Sequence, residues 1–69
     1  MGGILVMDIR FYTPQEVADM LRLRVQTVYE YIRMGKLPAA RFGNRYRISE
    51  DDIKEFIEYQ KSIIQEGLQ

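Results

Sequence analysis

The stretch from residue 12 to residue 38, YTPQEVADMLRLRVQTVYEYIRMGKLP, decides the fold. It opens on Thr13-Pro14-Gln15-Glu16, whose residues each suit a different need of a helix N-terminus. Thr13 suits the N-cap, and Pro14 suits the first helical position, where a missing N–H costs nothing. Glu16 is placed to reach back to the Thr13 amide and complete a capping box. Tyr12 and Val17 have the spacing of a hydrophobic staple across that cap. Val17, Ala18 and Leu21 continue as one apolar stripe, so the spacing predicts a short amphipathic helix over about 14–22. A brief break follows at Arg22-Leu23-Arg24, with Leu23 expected to plug the core. A second helix is expected over about 25–34. Val28 and Ile32, with Val25 and Tyr31, line its buried side. Gln26, Tyr29, Glu30 and Arg33 fall on the other, because residues three and four apart stack on one helical face. Gly35 is the natural left-handed residue past the helix end, and Pro38 prevents a restart.

Two short helices joined by about three residues make a helix-turn-helix arrangement. Downstream, Ala39-Ala40-Arg41-Phe42-Gly43-Asn44-Arg45-Tyr46-Arg47-Ile48 reads as a hairpin, with Gly before Asn as a type II′ turn wants. Alternation sets Phe42 opposite in direction to Arg41, and sets Tyr46 and Ile48 on one face with Arg45 and Arg47 on the other. The expectation is a wing with Phe42 and Tyr46 packed inward and Arg41, Arg45 and Arg47 projecting outward. Ser49 then caps a last helix whose Glu50, Asp51 and Asp52 complement its positive dipole end. Ile48 and Ile53 repeat the staple spacing, and Ile53, Phe56 and Ile57 form a core stripe; Tyr31, Phe42, Tyr46 and Phe56 are all expected in the core rather than as base-stacking platforms. Tyr59, Ile63 and Ile64 form a second apolar strip, more than one small core needs. The expected fold class is mainly α with a small β-hairpin: a helix-turn-helix, a two-stranded wing and a C-terminal helix. Residues 10–66 form the single domain, 1–9 an N-terminal extension and 67–69 a tail. Met7 reads as a native start, with residues 1–6 read as an added extension.

Composition narrows the function. The chain has 69 residues and no cysteine, histidine or tryptophan, which leaves no disulfide framework, thiolate nucleophile or imidazole base or ligand. One small domain fits this length, burying only about 60% of its unfolded surface. An apolar content of 46% with 29% charged residues is that of an ordinary soluble domain rather than a disordered tail. The longest wholly apolar run, Ile4-Leu5-Val6-Met7, falls far short of the roughly 20 residues that span a bilayer. With no basic n-region ahead of it, that run is no secretory signal either, so a cytoplasmic module is expected. Ten basic and ten acidic residues give no net charge, yet they are segregated. Arg22, Arg24, Arg33, Lys36, Arg41, Arg45 and Arg47 share residues 22–47 with one acid, Glu30, a local balance of +6. Such segregation creates a positive potential whatever the total. Six of those seven are arginine, whose planar fork suits phosphate and guanine edges.

The sequence resembles the excisionase-like and MerR-like winged helix-turn-helix DNA-binding domains. The resemblance is carried by Tyr12-Thr13-Pro14-Gln15-Glu16-Val17-Ala18, Thr27-Val28-Tyr29, Gly35-Lys36-Leu37-Pro38-Ala39, Arg41 to Ile48 and the acidic helix start, over about residues 11–58. It implies double-stranded DNA as partner, the second helix in the major groove and the wing on backbone or minor groove. By position, Thr27 and Tyr29 match helix residues that touch DNA in such domains. Arg41, Arg45 and Arg47 match the wing's basic positions, and Thr13 matches a position near phosphate. The family turn usually reads Leu-Gly-Val-Ser, whereas here it is Leu21-Arg22-Leu23-Arg24. Losing the cap serine at Arg24 costs about 1 kcal/mol, which phosphate contacts from Arg22 and Arg24 would offset. The long dimerisation helix and effector domain of full MerR regulators have no counterpart.

These readings give each candidate residue a role. Arg24, Arg33, Arg41, Arg45 and Arg47 are candidate phosphate or groove contacts, and Lys36 belongs to the same basic set. Gln26, Tyr29 and Arg33 are candidate base readers, Gln suiting adenine and Arg guanine. Glu30 is expected to pair with Arg33 or Arg24, in preference to the alternative of accepting from a cytosine amino group. Asp51, Asp52 and Glu55 read as an acidic helix start rather than a metal site. No nucleophile–base pair is visible, so a non-enzymatic role without cofactors is expected. The leading function is sequence-specific DNA binding, as an excisionase-type recombination directionality factor or a small transcription regulator associated with the nucleoid. A single module buries little interface, so a homodimer or cooperative multimer on DNA is expected. The alternative is a protein-interaction module that docks a recombinase or other partner through the apolar strip of the last helix.

Overall fold

The computed structural model describes residues 9–67. The expectations for residues 1–6 and for the end of the tail lie outside the described residues, as does the Ile64 side chain. The capping box forms at the first helix: Thr13 N–H donates to Glu16 Oε1 at 2.9 Å, and Glu16 N–H donates to Thr13 Oγ1 at 3.0 Å. Helix α1 then runs Pro14–Leu21 and helix α2 runs Val25–Arg33. Both end in Schellman motifs. At α2, Gly35 (φ 78°) donates to the Ile32 carbonyl at 3.1 Å and Lys36 to the Tyr31 carbonyl at 2.9 Å. At α1, Arg22 stands where Gly35 stands in α2, at φ 59°, with Arg22 N–H on the Asp19 carbonyl at 3.3 Å and Leu23 N–H on the Ala18 carbonyl at 2.9 Å. The turn that replaces the family's glycine thus keeps the glycine's backbone conformation.

That geometry corrects the reading of Leu23. It follows the left-handed residue, at the outer edge of the motif, and remains 38% exposed instead of plugging the core. Leu37, buried beyond the end of α2, fills the interior with Val17, Ala18, Val28, Ile48, Ile53 and Phe56. Tyr31 packs edge-on against Phe56 with centroids 5.0 Å apart, tying α2 to the last helix.

Strands β2 (Ala40–Phe42) and β3 (Arg45–Ser49) form the hairpin, and β1 (Phe11–Tyr12) adds on the other side of β3 in an antiparallel sheet of order β1-β3-β2. The third strand goes beyond the two-stranded wing expected. Two residues are too short to show alternation, and β1 is defined by its pairing, Phe11 with Ser49 and Tyr12 with Ile48. Helix α3 (Glu50–Gly67) follows β3 directly. Ser49 Oγ accepts from Asp52 N–H at 3.1 Å, the expected cap. Ile53 and Phe56 are buried and Ile57 half-buried, whereas Tyr59 and Ile63 of the second strip are 56% and 42% exposed.

Candidate nucleic-acid interface

Helix α2 presents its candidate face from one side of a short cylinder. Gln26, Glu30 and Arg33 are exposed; Thr27 and Tyr29 are half-buried. Its N-cap, Arg24, is extended and makes no side-chain bond to the helix end, so the guanidinium is free to face outward. Thr27 and Val28 N–H reach the Arg24 carbonyl, which leaves the Val25 and Gln26 amides as the helix's open donors. Arg22 and Lys36 are exposed at the turns flanking α2. Thr13 lies at the opposite end of α1 from Arg22, about 13 Å away along the axis. Thr13 is half-buried, and its hydroxyl oxygen is occupied by the capping bond while its proton remains available to donate.

The wing differs from the sequence reading in which side chains share a face. The loop holds two residues, Gly43 and Asn44, and Gly43 carries the positive φ, 64°. Arg41 pairs with Tyr46, and Phe42 with Arg45. Directly paired residues point to the same side of a sheet. Arg41 therefore shares the inner face with Tyr46 and Ile48, and Phe42 shares the outer face with Arg45 and Arg47. Phe42 is 59% exposed and meets Phe11, another outer-face residue, edge-on at 6.5 Å. The expected inward Phe42 and three outward arginines are corrected to an outer face bearing Phe42, Arg45 and Arg47. Arg41 instead folds over the Tyr46 ring at 5.7 Å and donates from Nε to the Gly43 carbonyl at 3.0 Å. Arg47 is half-buried, its Nη1 on the Tyr46 carbonyl at 2.9 Å.

Helix and wing meet at one aromatic contact. The Tyr29 and Tyr46 rings lie 6.0 Å apart at 62°. This contact brings the polar side of α2 to the wing's inner face. Sequence reasoning treated Tyr46 as plain core; the pairing arithmetic of a two-residue turn was the signal that would have set it beside Arg41.

Among the described residues, the ion pairs are Lys54–Glu50 at 3.6 Å and Lys61–Glu58 at 3.5 Å, both on α3. The expected Glu30 pairing with Arg33 or Arg24 is therefore not formed. An exposed pair on a helix gains only about 0.3–0.5 kcal/mol against the entropy of holding two long side chains. Among the described residues no carboxylate forms an ion pair with the basic side chains of α2 and the wing, which leaves those charges to set the local field. Among the described residues no cluster of acidic side chains is arranged to hold a metal ion, and no helix is long and apolar enough to cross a membrane.

A family model described as "Helix-turn-helix domain" matches residues 11–61. The uncharacterized protein YvgK of Bacillus subtilis is 44% identical over 45 residues, covering 65% of this chain and 15% of that protein. The uncharacterized protein Rv2310 of Mycobacterium tuberculosis is 41% identical over 46 residues, 67% of this chain and 40% of its own length. A third similar protein, from the same organism, carries the name "Putative DNA-binding protein Rv0500A"; it is 35% identical over 46 residues, 67% of this chain and 59% of its own length. The matched region thus spans between 15% and 59% of these relatives. No solved structure matches the chain significantly. With capped helices, left-handed turn, wing and matched span in agreement, the chain belongs to the helix-turn-helix domain family, in its excisionase-like form.

Proposed function

We propose that this chain binds double-stranded DNA in a sequence-specific way, with α2 in the major groove and the wing on backbone or minor groove. The observation that carries the reading is the junction of α2 and wing at Tyr29 and Tyr46, flanked by basic side chains that no acid neutralises among the described residues. The name of the Mycobacterium tuberculosis relative supports it. Gln26 and Arg33 read bases, since Gln pairs with adenine and Arg with guanine in the major groove. Thr27 sits beside them on the first turn of α2. Arg24, with the open amides of Val25 and Gln26, takes a phosphate at the helix start. Arg45 and Arg47 hold the backbone beside the wing, joined by the free nitrogens of Arg41. Arg22, Lys36 and the Thr13 hydroxyl hold phosphates on either side, and set register rather than sequence.

One such module buries too little surface for strong binding alone. The working form is a dimer or a cooperative row of copies on sites about 10 base pairs apart. The role is that of a recombination directionality factor or a small transcription regulator in the cytoplasm, at the nucleoid, with no catalytic step. The relatives' greater length leaves room for this domain to act as one part of a larger protein.

A second reading has its own observation. Leu21, Leu23, Tyr31, Phe56 and Ile57 line an apolar groove of about 270 Å³, next to Gln60 and Lys61 of α3. Together with exposed Tyr59 and Ile63, this surface suits a protein partner such as a recombinase. Duplex binding measured by fluorescence anisotropy over a salt series separates the two. The DNA reading expects log affinity to fall against log salt with a slope of about −0.9 per phosphate contacted. A flat salt response, or no binding at low salt, would overturn it and leave the partner surface.

A further inference from the structure

The wing has little to hold it in place. Ala40, Arg41 and Phe42 of β2 are all exposed, and β2 is an edge strand bonded to β3 alone. Ile48 is the last buried residue of the hairpin. From there to the turn at Asn44 the chain extends about 13 Å. Along that length the inner face offers a single aromatic side chain, Tyr46, and its ring partner is Tyr29 of α2. Of the other aromatic pairs among the described residues, Phe11 with Phe42 ties the wing to β1 on the outer sheet face and leaves its inner face toward α2 to Tyr46, and Tyr31 with Phe56 joins α2 to α3. Arg41 closes the arrangement from the other strand, its guanidinium over Tyr46 and its Nε–H on the carbonyl of the turn glycine. Tyr29 is itself half-buried, as a ring engaged on one side must be.

We propose that Tyr29 is a positioning residue: its ring, edge-on to Tyr46 beneath the Arg41 clasp, fixes the wing at a set height over α2. The inference rests on the DNA reading above and assigns Tyr29 to the wing rather than to a base. A wing left to swing about Ile48 delivers Arg45 and Arg47 to the backbone only part of the time. The locked wing presents them in register with Gln26 and Arg33. Tyr29 therefore acts on affinity through the wing arginines, and its phenol oxygen is dispensable.

Two measurements test this. The first uses free protein, with amide order parameters from 15N relaxation. Tyr29→Leu lowers them at Gly43, Asn44 and Arg45 while those of α1 stay at parent values, and Tyr29→Phe leaves the wing as in the parent. An unchanged wing in Tyr29→Leu overturns the proposal, whether or not the chain binds DNA. The second is a double-mutant cycle on a mixed-sequence DNA duplex at low salt. Tyr29→Leu alone weakens binding by about 3- to 10-fold, in line with the loss of one aromatic edge contact. In the Arg45→Ala/Arg47→Ala background it adds little further loss, and Tyr29→Phe binds like the parent. A full additional loss in that background, or a loss in Tyr29→Phe equal to that in Tyr29→Leu, places the phenol on DNA directly and overturns the positioning role. If the parent binds no duplex, the DNA reading fails and the order parameters still decide whether Tyr29 holds the wing.

Discussion

Arg22 offers the sharpest trade in this molecule, because its backbone and its side chain pull in opposite directions. At φ 59° it occupies the left-handed position of a Schellman ending, the position that Gly35 fills in α2. A residue with a Cβ is penalised by about 1–2 kcal/mol there, and glycine gives back about 0.5–1 kcal/mol through its freer unfolded chain. Arg22→Gly should therefore stabilise the fold by about 0.5–1 kcal/mol, which for a domain of this size raises Tm by roughly 2 to 8 °C. The bonds that close α1 at this point, from Arg22 N–H and Leu23 N–H, involve no side chain and survive the change. On DNA the same substitution removes one exposed guanidinium. Affinity for all sequences falls, and the salt slope shrinks by about 0.9, one phosphate's worth. Arg22→Ala separates the effects: it keeps the left-handed cost, so Tm does not rise, yet it loses the same slope. Thermal melts by circular dichroism and anisotropy titrations at several salt concentrations read both. A lower Tm for Arg22→Gly would refute the strain argument, and a higher Tm with an unchanged salt slope would refute the phosphate contact.

Four further outcomes are expected. Thr13→Ala removes the acceptor for Glu16 N–H and breaks the capping box, costing about 1 kcal/mol in a denaturant melt; a cost near zero would mean the cap is replaced by water without penalty. Arg45→Ala with Arg47→Ala weakens binding to every duplex and lowers the salt slope by about one for each phosphate those side chains neutralise, so an unchanged slope removes the wing from the interface. Gln26→Ala changes which sequence is preferred in a selection experiment; an identical preference at lower affinity means that Gln26 reads no base. Ile63→Glu, at an exposed site, leaves Tm nearly unchanged and abolishes cooperative binding in gel-shift titrations, whereas intact cooperativity would place assembly elsewhere.

The parts of the fold set by local chemistry were legible in the sequence. Thr13, Pro14 and Glu16 announce a helix start by their own hydrogen-bonding and φ requirements, and Gly35 and Ser49 announce an end and a start for the same reason. What local chemistry does not carry is which neighbour a side chain meets. Leu23 is as apolar as Leu37, but a left-handed residue before it turns it to the rim, and the left-handed residue was an arginine rather than the glycine that signals such a turn. Alternation gave the hairpin two faces but not their contents, because the side of Phe42 is fixed by pairing across the turn. Counting out from a two-residue loop pairs Phe42 with Arg45, and Arg41 with Tyr46 one step further, a signal present in the sequence and outweighed by the hydrophobicity of phenylalanine. Strand β1 is two residues long and exists through its pairing with β3, so no window of sequence reveals it. For the candidate interface, the basic segment from Arg22 to Arg47 was evident from charge alone. The joint between Tyr29 and Tyr46 was not, since it links residues seventeen positions apart through a turn whose geometry had first to be known.

The proposal that matters most is that α2 and the wing form a single surface that reads duplex DNA. Selection from a random duplex pool, run at low and at near-physiological salt, tests it most directly. The expected result is an enriched motif whose copies recur at about one helical turn, since each module reads one short site and useful affinity needs several. Recovery of no duplex above background at low salt would contradict it.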